Sequence, residues 1–225
     1  MTQELILAID TSSENLGLCL YIPENGENWC FSETLYRGIS DRLHVEINKL
    51  FEKAGKTAHD VTHVVVTRGP GSFTGIRVGL AAAMGLAQAL NVPVATVTTF
   101  AAIAHSHRHE NKSLTIWMEA HGDDVYTQTF LQGKPQTKSM CENVHEAATS
   151  LNSNSMLCGT GATAVHRQNV VEGVEYIEHK YANPKAVAEL GWEEIQKGEK
   201  FDLSPLYLKK LHYKKMNEQK KRQAG

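Results

Sequence analysis

Val64-Val-Val-Thr-Arg-Gly69-Pro-Gly71-Ser-Phe-Thr74-Gly75-Ile-Arg77-Val-Gly79-Leu-Ala-Ala-Ala83-Met-Gly85 decides how this chain is read. A β-branched run meets a tight glycine turn and then a helix of unusual composition. Between Ile76 and Leu90 only Arg77 and Gln88 are strongly polar, so the helix, expected over Thr74–Leu90, is apolar on nearly every face. Such a helix is buried all round or crosses a membrane. A crossing needs about 20 apolar residues, and Asn91-Val-Pro93 stops this one short. Burial in protein on two sides is therefore expected. Gly75, Gly79 and Ala83 fall at i, i+4 and i+8, one above the other on a single face. Glycine inside a helix costs up to about 1 kcal/mol against alanine, so the bare stripe needs a close neighbour to justify it. With the domain's own sheet on one side, the stripe is expected to meet a helix of a second chain.

Outward from this stretch, the chain shows the same plan twice. Leu5–Ile9 reads as a strand ending at Asp10, Leu16–Ile22 and Asn28–Ser32 as a hairpin around Pro23-Glu-Asn-Gly26. A helix follows from Ser40 to Ala54, with Leu43, Ile47, Leu50 and Phe51 on its apolar face. The strand His63–Thr67, the glycine-turn helix and the strand Val92–Val97 complete the first half. In the second, Leu114–Met118 ends at Glu119, Val125–Phe130 begins a hairpin, and helices are expected over Val144–Leu151 and from Pro184 to Ile195 around a strand at Met156–Cys158. The polar link 105–112 divides a unit over 1–104 from one over 113–205. A basic, helical tail over 206–225 follows. A duplicated mixed α/β architecture is expected.

Composition sets bounds. The chain has 225 residues, 41% hydrophobic and 21% charged, with a formal charge of −2, which is ordinary for a globular protein and gives no global pull toward nucleic acid or membrane. The start Met-Thr-Gln-Glu-Leu-Ile has no signal-peptide pattern. Cys19, Cys30, Cys141 and Cys158 lack C-x-x-C spacing, so neither a disulfide frame nor a zinc site is expected. The reading is a reduced, cytoplasmic protein.

Several residues are candidates for chemistry. Asp10-Thr11-Ser12 directly after a strand could turn a carboxylate and hydroxyls toward a phosphate or its magnesium, and Glu119 ends the matching strand. The plainer reading makes Asp10 the start of an Asx turn. The turn Gly69-x-Gly71-x-x-x-Gly75 is one residue too long for a dinucleotide fingerprint, and no Gly-Lys-Ser/Thr follows it. It does bring Ser72, Thr74 and Arg77 to a helix start, a generic anion site. Alternatively, Ser72 or Thr74 only caps the helix. Arg77 opposes the dipole there, which fits a carboxylate partner or an interface. His105, His107 and His109 lie in the polar link and read as solvated rather than as a metal site. Lys209, Lys210, Lys214, Lys215, Lys220, Lys221 and Arg222 stand against Glu218 alone. That charge suits RNA phosphate, or simply a solvated helix.

Ile6-Leu-Ala-Ile-Asp10-Thr-Ser, Gly69-Pro-Gly-Ser-Phe-Thr-Gly-Ile-Arg77-Val-Gly79-Leu-Ala and Gly85-Leu-Ala-Gln-Ala-Leu-Asn-Val-Pro93 resemble the TsaB (YeaZ) family. The likeness is close over the first hundred or so residues. It continues more loosely at Glu119-Ala, Val125-Tyr126, Gly159-Thr-Gly-Ala162 and Pro205-Leu-Tyr-Leu-Lys209. It implies the ASKHA fold, two ribonuclease-H-like halves, and an accessory role in making threonylcarbamoyladenosine at position 37 of tRNA. It further implies a heterodimer with the catalytic paralogue TsaD, docking of the ATPase TsaE on that pair, and a homodimer when alone. The partner surface is expected on His44 and Ile47 of the first helix and Gly75, Ile76, Gly79, Leu80 and Ala83 of the second. No catalytic residue, bound cofactor, metal or membrane contact is expected, ATP being used by the complex. The His-x-x-x-His metal pair of TsaD falls at about Thr99 and Ile103, which supply no imidazole. This also weighs against the older glycoprotease label of the wider family. Where the family reads Asp-Ala-Arg-Arg-Gly-Glu-Val-Tyr, this chain has Glu119-Ala-His121-Gly122-Asp123-Asp124-Val125-Tyr126, so no role of those arginines carries over. The alternatives are an ATPase or kinase of the same fold using Asp10, and a tRNA-binding module acting through the tail.

Overall fold

The computed structural model describes residues 3–151, 155–166, 174–198 and 200–208. Strands β1 (Ile6–Asp10), β2 (Asn15–Ile22) and β3 (Glu27–Thr34) form an antiparallel meander. Helix α1 (Ile39–Ala54) crosses to β4 (His63–Thr67), parallel to β1, and α2 (Phe73–Leu90) crosses to β5 (Val94–Val97), parallel to β4. The sheet order is β3-β2-β1-β4-β5. Helix α3 (Thr99–Ser106) then leads to the second half.

There β6 (Ser113–Glu119) pairs antiparallel with β7 (Asp124–Leu131), whose other edge takes β8 (Lys134–Pro135) and β9 (Met140–Asn143). After α4 (Val144–Thr149), β10 (Ser155–Cys158) lies parallel to β6; after α5 (Thr160–His166), β11 (Glu175–Tyr176) lies parallel to β10. Helix α6 (Pro184–Gln196) closes the described fold. A meander followed by two parallel crossovers, made twice, is a pair of ribonuclease-H-like units. This is the ASKHA arrangement.

Strand β1 is buried along its whole length because both faces of its sheet are covered. Leu7, Ile9, Leu18, Leu20, Val64 and Val66 share one cluster with the apolar faces of α1 and α2. Their alternate neighbours Ile6, Ala8, Cys19, Val65 and Ala95 pack with α3 and α6, in a layer continuous with Leu114, Ile116 and Met118 of β6. Trp117, Val125 and Leu157 turn to the far side with Ala147 and Ala162 of α4 and α5.

Some expectations change. Helix α6, assigned by sequence to the second unit, packs on β1, β2, β4 and β5 of the first sheet and against α3. The polar link at 105–112 begins inside α3, which Thr98 caps by accepting from the Ala101 N–H at 3.0 Å. His105 is therefore buried rather than solvated. Cys19 and Cys30 stand directly opposite each other in the β2–β3 ladder, Cα atoms 4.1 Å apart, and are joined as a disulfide. That corrects the all-reduced reading, because hairpin register, not spacing along the chain, brings them together. Cys158 is free and buried, its thiol pushed up to about 12 by desolvation. Of the basic tail, 209–225 lies outside the described residues, and 206–208 belongs to a segment without regular secondary structure rather than to a helix.

Candidate functional site

Asp10 ends β1 beneath the glycine turn, but its carboxylate does not face solvent. It is 1% exposed, and its Oδ1 accepts from Thr67 Oγ1 at 2.6 Å, Ser12 Oγ at 2.7 Å and Ser12 N–H at 3.0 Å. Its Oδ2 is buried with no hydrogen-bond partner. Burial pushes the carboxyl above the usual range, with the bonds from Thr67 and Ser12 opposing. Of the two readings of Asp10, the Asx-type anchor is the one the geometry matches, and the phosphate-facing carboxylate is not. Burial won because both sheet faces are covered at this strand end.

The same loop explains the glycine stripe. Thr11 Oγ1 donates to the Gly75 carbonyl at 2.7 Å, and the Ser72 N–H donates to the Ser12 carbonyl at 2.7 Å. A Cβ on Gly75 would overlap the Thr11 carbonyl, and one on Gly79 would overlap Thr11 Oγ1. Gly71, at φ +151°, has Ser12 O where its Cβ would stand. The stripe therefore admits the β1 loop of its own chain. Ile76, Leu80 and Ala83 are core residues, as is Ile47 of α1 at 3% exposure. Of the residues expected to face a partner, only His44 is exposed.

What α2 turns outward is another row. Phe73, Thr74, Arg77, Ala81, Met84, Gly85, Gln88 and Ala89 are exposed, Met84 at 45%. Ala81, Gly85 and Ala89 also repeat at i, i+4 and i+8, and nothing lies within 4 Å of a Cβ built on Gly85. On α1, in the same layer, His44 and Val45 face out, Val45 at 47%. The sequence held this second row. Only the strand-to-helix register shows which row the sheet takes.

Between the halves lies a cleft of about 400 Å³ walled by Ser12, Ser13, Gly71 and Ser72 on one side and Glu119, His121, Tyr126 and Thr160 on the other. Glu119 is exposed, its N–H donating to Thr160 Oγ1 at 3.0 Å. Of the two strand-end acids, only Glu119 lines the cleft. Ser72 caps α2 by accepting from the Gly75 N–H at 3.2 Å, while Arg77 turns away onto Phe73, its guanidinium carbon 3.7 Å from the ring centroid. Ser72, Thr74 and Arg77 therefore do not converge on one anion. Thr99 and Ile103 are buried in α3. His105 Nε2 lies 3.3 Å from Glu189, and His107 Nε2 lies 2.6 Å from His179 Nδ1. Burial lowers all three of these histidines' proton affinities. Among the described residues no group of three or more His, Cys, Asp or Glu is placed to hold a metal.

A family model described as "TsaD: tRNA N6-adenosine threonylcarbamoyltransferase" matches residues 33–186. The tRNA threonylcarbamoyladenosine biosynthesis protein TsaB of Bacillus subtilis (strain 168) is 32% identical over 125 residues, 56% of this chain. The match spans only 54% of that relative's length. The protein of the same name from Escherichia coli (strain K12) is 27% identical over 166 residues, 69% of this chain and 71% of its own. A crystal structure from Pseudomonas aeruginosa, described as an uncharacterized protein with similarity to peptidase YEAZ, superposes with a TM-score of 0.80 at 25% identity. It covers 92% of this chain and 100% of its own.

Proposed function

We propose, from the premise that this chain belongs to the TsaD family of tRNA N6-adenosine threonylcarbamoyltransferases and, within it, to the TsaB (YeaZ) members, that it is a non-catalytic scaffold subunit of threonylcarbamoyladenosine synthesis on tRNA. The observation that carries the scaffold reading is the outer row of α2. An 18-residue helix of mean hydropathy 1.3, with only 33% of its residues buried, presents Ala81, Met84, Gly85 and Ala89 to solvent beside Val45 and His44 of α1. A ridge of small residues flanked by a flexible thioether lets another helix come close and mould to it. We assign that ridge to the transferase subunit TsaD, with TsaE docking on the pair and a second copy of this chain occupying it when TsaD is absent. The setting is the cytoplasm, and ATP is used by the complex rather than bound here. Asp10 supports this: held by Thr67 and Ser12, it has no free oxygen lining the cleft.

The test is Gly85→Arg, which puts a long cation on the ridge without touching the chain's own core. Association with TsaD and self-association should fall at least tenfold, with a normal circular dichroism spectrum, and threonylcarbamoyladenosine in cellular tRNA should fall with them. Unchanged association would remove α2 from the interface. ATP turnover by the purified chain, abolished by Asp10→Asn, would favour the enzyme reading instead.

A further inference from the structure

Cys19 and Cys30 are joined near the middle of the β2–β3 ladder, and β3 is the outer strand of its sheet. Cys19 has no exposed surface and packs with Ile6, Ala8 and Val65 in the layer beneath α6. Cys30 is only partly buried. It borders a cavity of about 570 Å³ between β3 and residues 178–184, which lead into α6. Ser32, Glu178, His179, Lys180 and Tyr181 wall that cavity. One sulfur is therefore sealed, and the other opens onto a hollow.

The staple pins a strand on which a helix rests. Trp29 and Phe31, either side of Cys30, turn to the opposite face of the sheet. There they pack into the cluster that holds Leu43 and Ile47 of α1. Glu33 accepts from Arg42 of α1 at 2.8 Å. An outer strand has ladder bonds along one edge only, so β3 depends on side-chain ties more than β1 does. What holds β3 therefore also holds the near side of α1.

In the cytoplasm, the setting proposed above, small thiols keep most cysteines reduced, and a disulfide there is usually transient or redox-sensing. The cavity decides which sulfur such a thiol can reach. Its size is in the range of small-molecule sites, and its wall sets Lys180 and His179 against Glu178. We propose that Cys30 is a thiol-exchange site, taking a small carboxylate-bearing thiol of the glutathione class and switching β3 between a stapled and an open edge. The thiolate attacks Cys30 Sγ, the Cys19–Cys30 bond breaks, and its electron pair leaves on Cys19 Sγ, which takes up a proton. A mixed disulfide then stands at Cys30 in the cavity. A second thiolate attacks the small molecule's sulfur in that bond and releases Cys30 as a thiolate. Two small thiols are thereby oxidised to their disulfide, and the protein pair gains two electrons. Hydrogen peroxide reverses the change. The Cys30 thiolate takes one oxygen to give a sulfenic acid and hydroxide, and the Cys19 thiol then displaces water to restore the bond. The proposal rests on the cytoplasmic setting and not on the scaffold role.

The experiment treats the full oxidised chain with reduced glutathione or neutral 2-mercaptoethanol, quenches with acid and maps adducts by peptide mass spectrometry. Glutathione should add once, at Cys30, with Cys19 appearing as a free thiol. Cys19→Ser, which frees Cys30, should form the same adduct from oxidised glutathione, while Cys30→Ser should leave Cys19 unmodified. Charge in the cavity steers an approaching anion, so Lys180→Glu should slow glutathione about threefold and leave 2-mercaptoethanol unchanged. On full reduction, amide hydrogen exchange should quicken over β3 and stay unchanged over β4, and peroxide should restore the slower pattern. An adduct at Cys19, no adduct at all, or an unchanged glutathione rate in Lys180→Glu would overturn the site. Unchanged β3 exchange on reduction would overturn the switch. Chain trapped in acid from growing cells should move from reduced to oxidised under peroxide. A pair fixed in either state would overturn the cytoplasmic switch, while the scaffold reading stands or falls separately on association with TsaD.

Discussion

At the residue scale, Asp10 is where chemistry and burial part company. Its Oδ1 gathers three donors and its Oδ2 has none, so it acts as a fastener for the β1 loop. Asp10→Ala would leave the hydroxyls of Thr67 and Ser12 without their acceptor, and each buried unsatisfied group costs about 1–3 kcal/mol. Asp10→Asn keeps an oxygen for them and removes a buried charge, so its loss should be clearly smaller. The pH dependence separates the two effects. Burial holds the folded-state carboxyl above its ordinary pKa of 3.8, so its contribution to stability is complete below that value. It is lost as pH rises through the raised folded pKa. Urea melts across that range should show the parent weakening with rising pH relative to Asp10→Asn. Parallel curves would mean that the carboxyl is not desolvated as described. The sequence identified Asp10 as special but not why, because the three donors come from positions 12 and 67, and only strand pairing brings Thr67 to it.

At the element scale, α2 was legible in composition and ambiguous in orientation. Its length, its Ser72 cap and its stop at Asn91 match what the residues imply. Two rows of small residues run along it, however, and the sequence reading gave the partner the row that the sheet takes. The two rows give opposite signs. At Gly79 an added Cβ overlaps Thr11 Oγ1 and sits 3.5 Å from Val66 Cγ2, so Gly79→Ala should destabilise despite alanine's helix advantage of about 1 kcal/mol. Gly79→Leu should cost about 3 kcal/mol or more, beyond ordinary overpacking. At Gly85 the space is open, so Gly85→Ala should raise the melting midpoint of the isolated chain. Thermal melts of the three variants check this. A Gly79→Ala variant more stable than its parent would show that the stripe is not closed by the Thr11 loop. The same limit explains the missed disulfide, since Cys19 and Cys30 become neighbours only through hairpin register.

At the scale of the whole molecule, the duplicated plan was readable because each half repeats a meander and two crossovers within its own stretch of chain. The boundary between the halves was less so, because α6 returns to the sheet built by the first. Helices 1 and 2 cover one face of that sheet, and α3 with α6 covers the other. Gly191 fits so tightly against Val65 that a Cβ would overlap all three of the valine's side-chain carbons. A fragment ending at residue 112 keeps every strand of the first sheet but uncovers Ile6, Ala8, Val65 and Ala95, all at most 1% exposed in the full fold. Burying a side chain such as Ile6 or Val65 contributes about 1.5–3 kcal/mol, and a domain's whole margin is about 5–15 kcal/mol. The fragment should therefore lack a cooperative melt, and a fusion that restores residues 177–198 through a flexible linker should regain one. Gly191→Leu in the full chain should act in the same direction by lifting α6 off β4. A cooperative transition from the bare fragment, at a midpoint near that of the full chain, would make α6 an accessory layer. The two halves would then be independent domains rather than one interlocked fold.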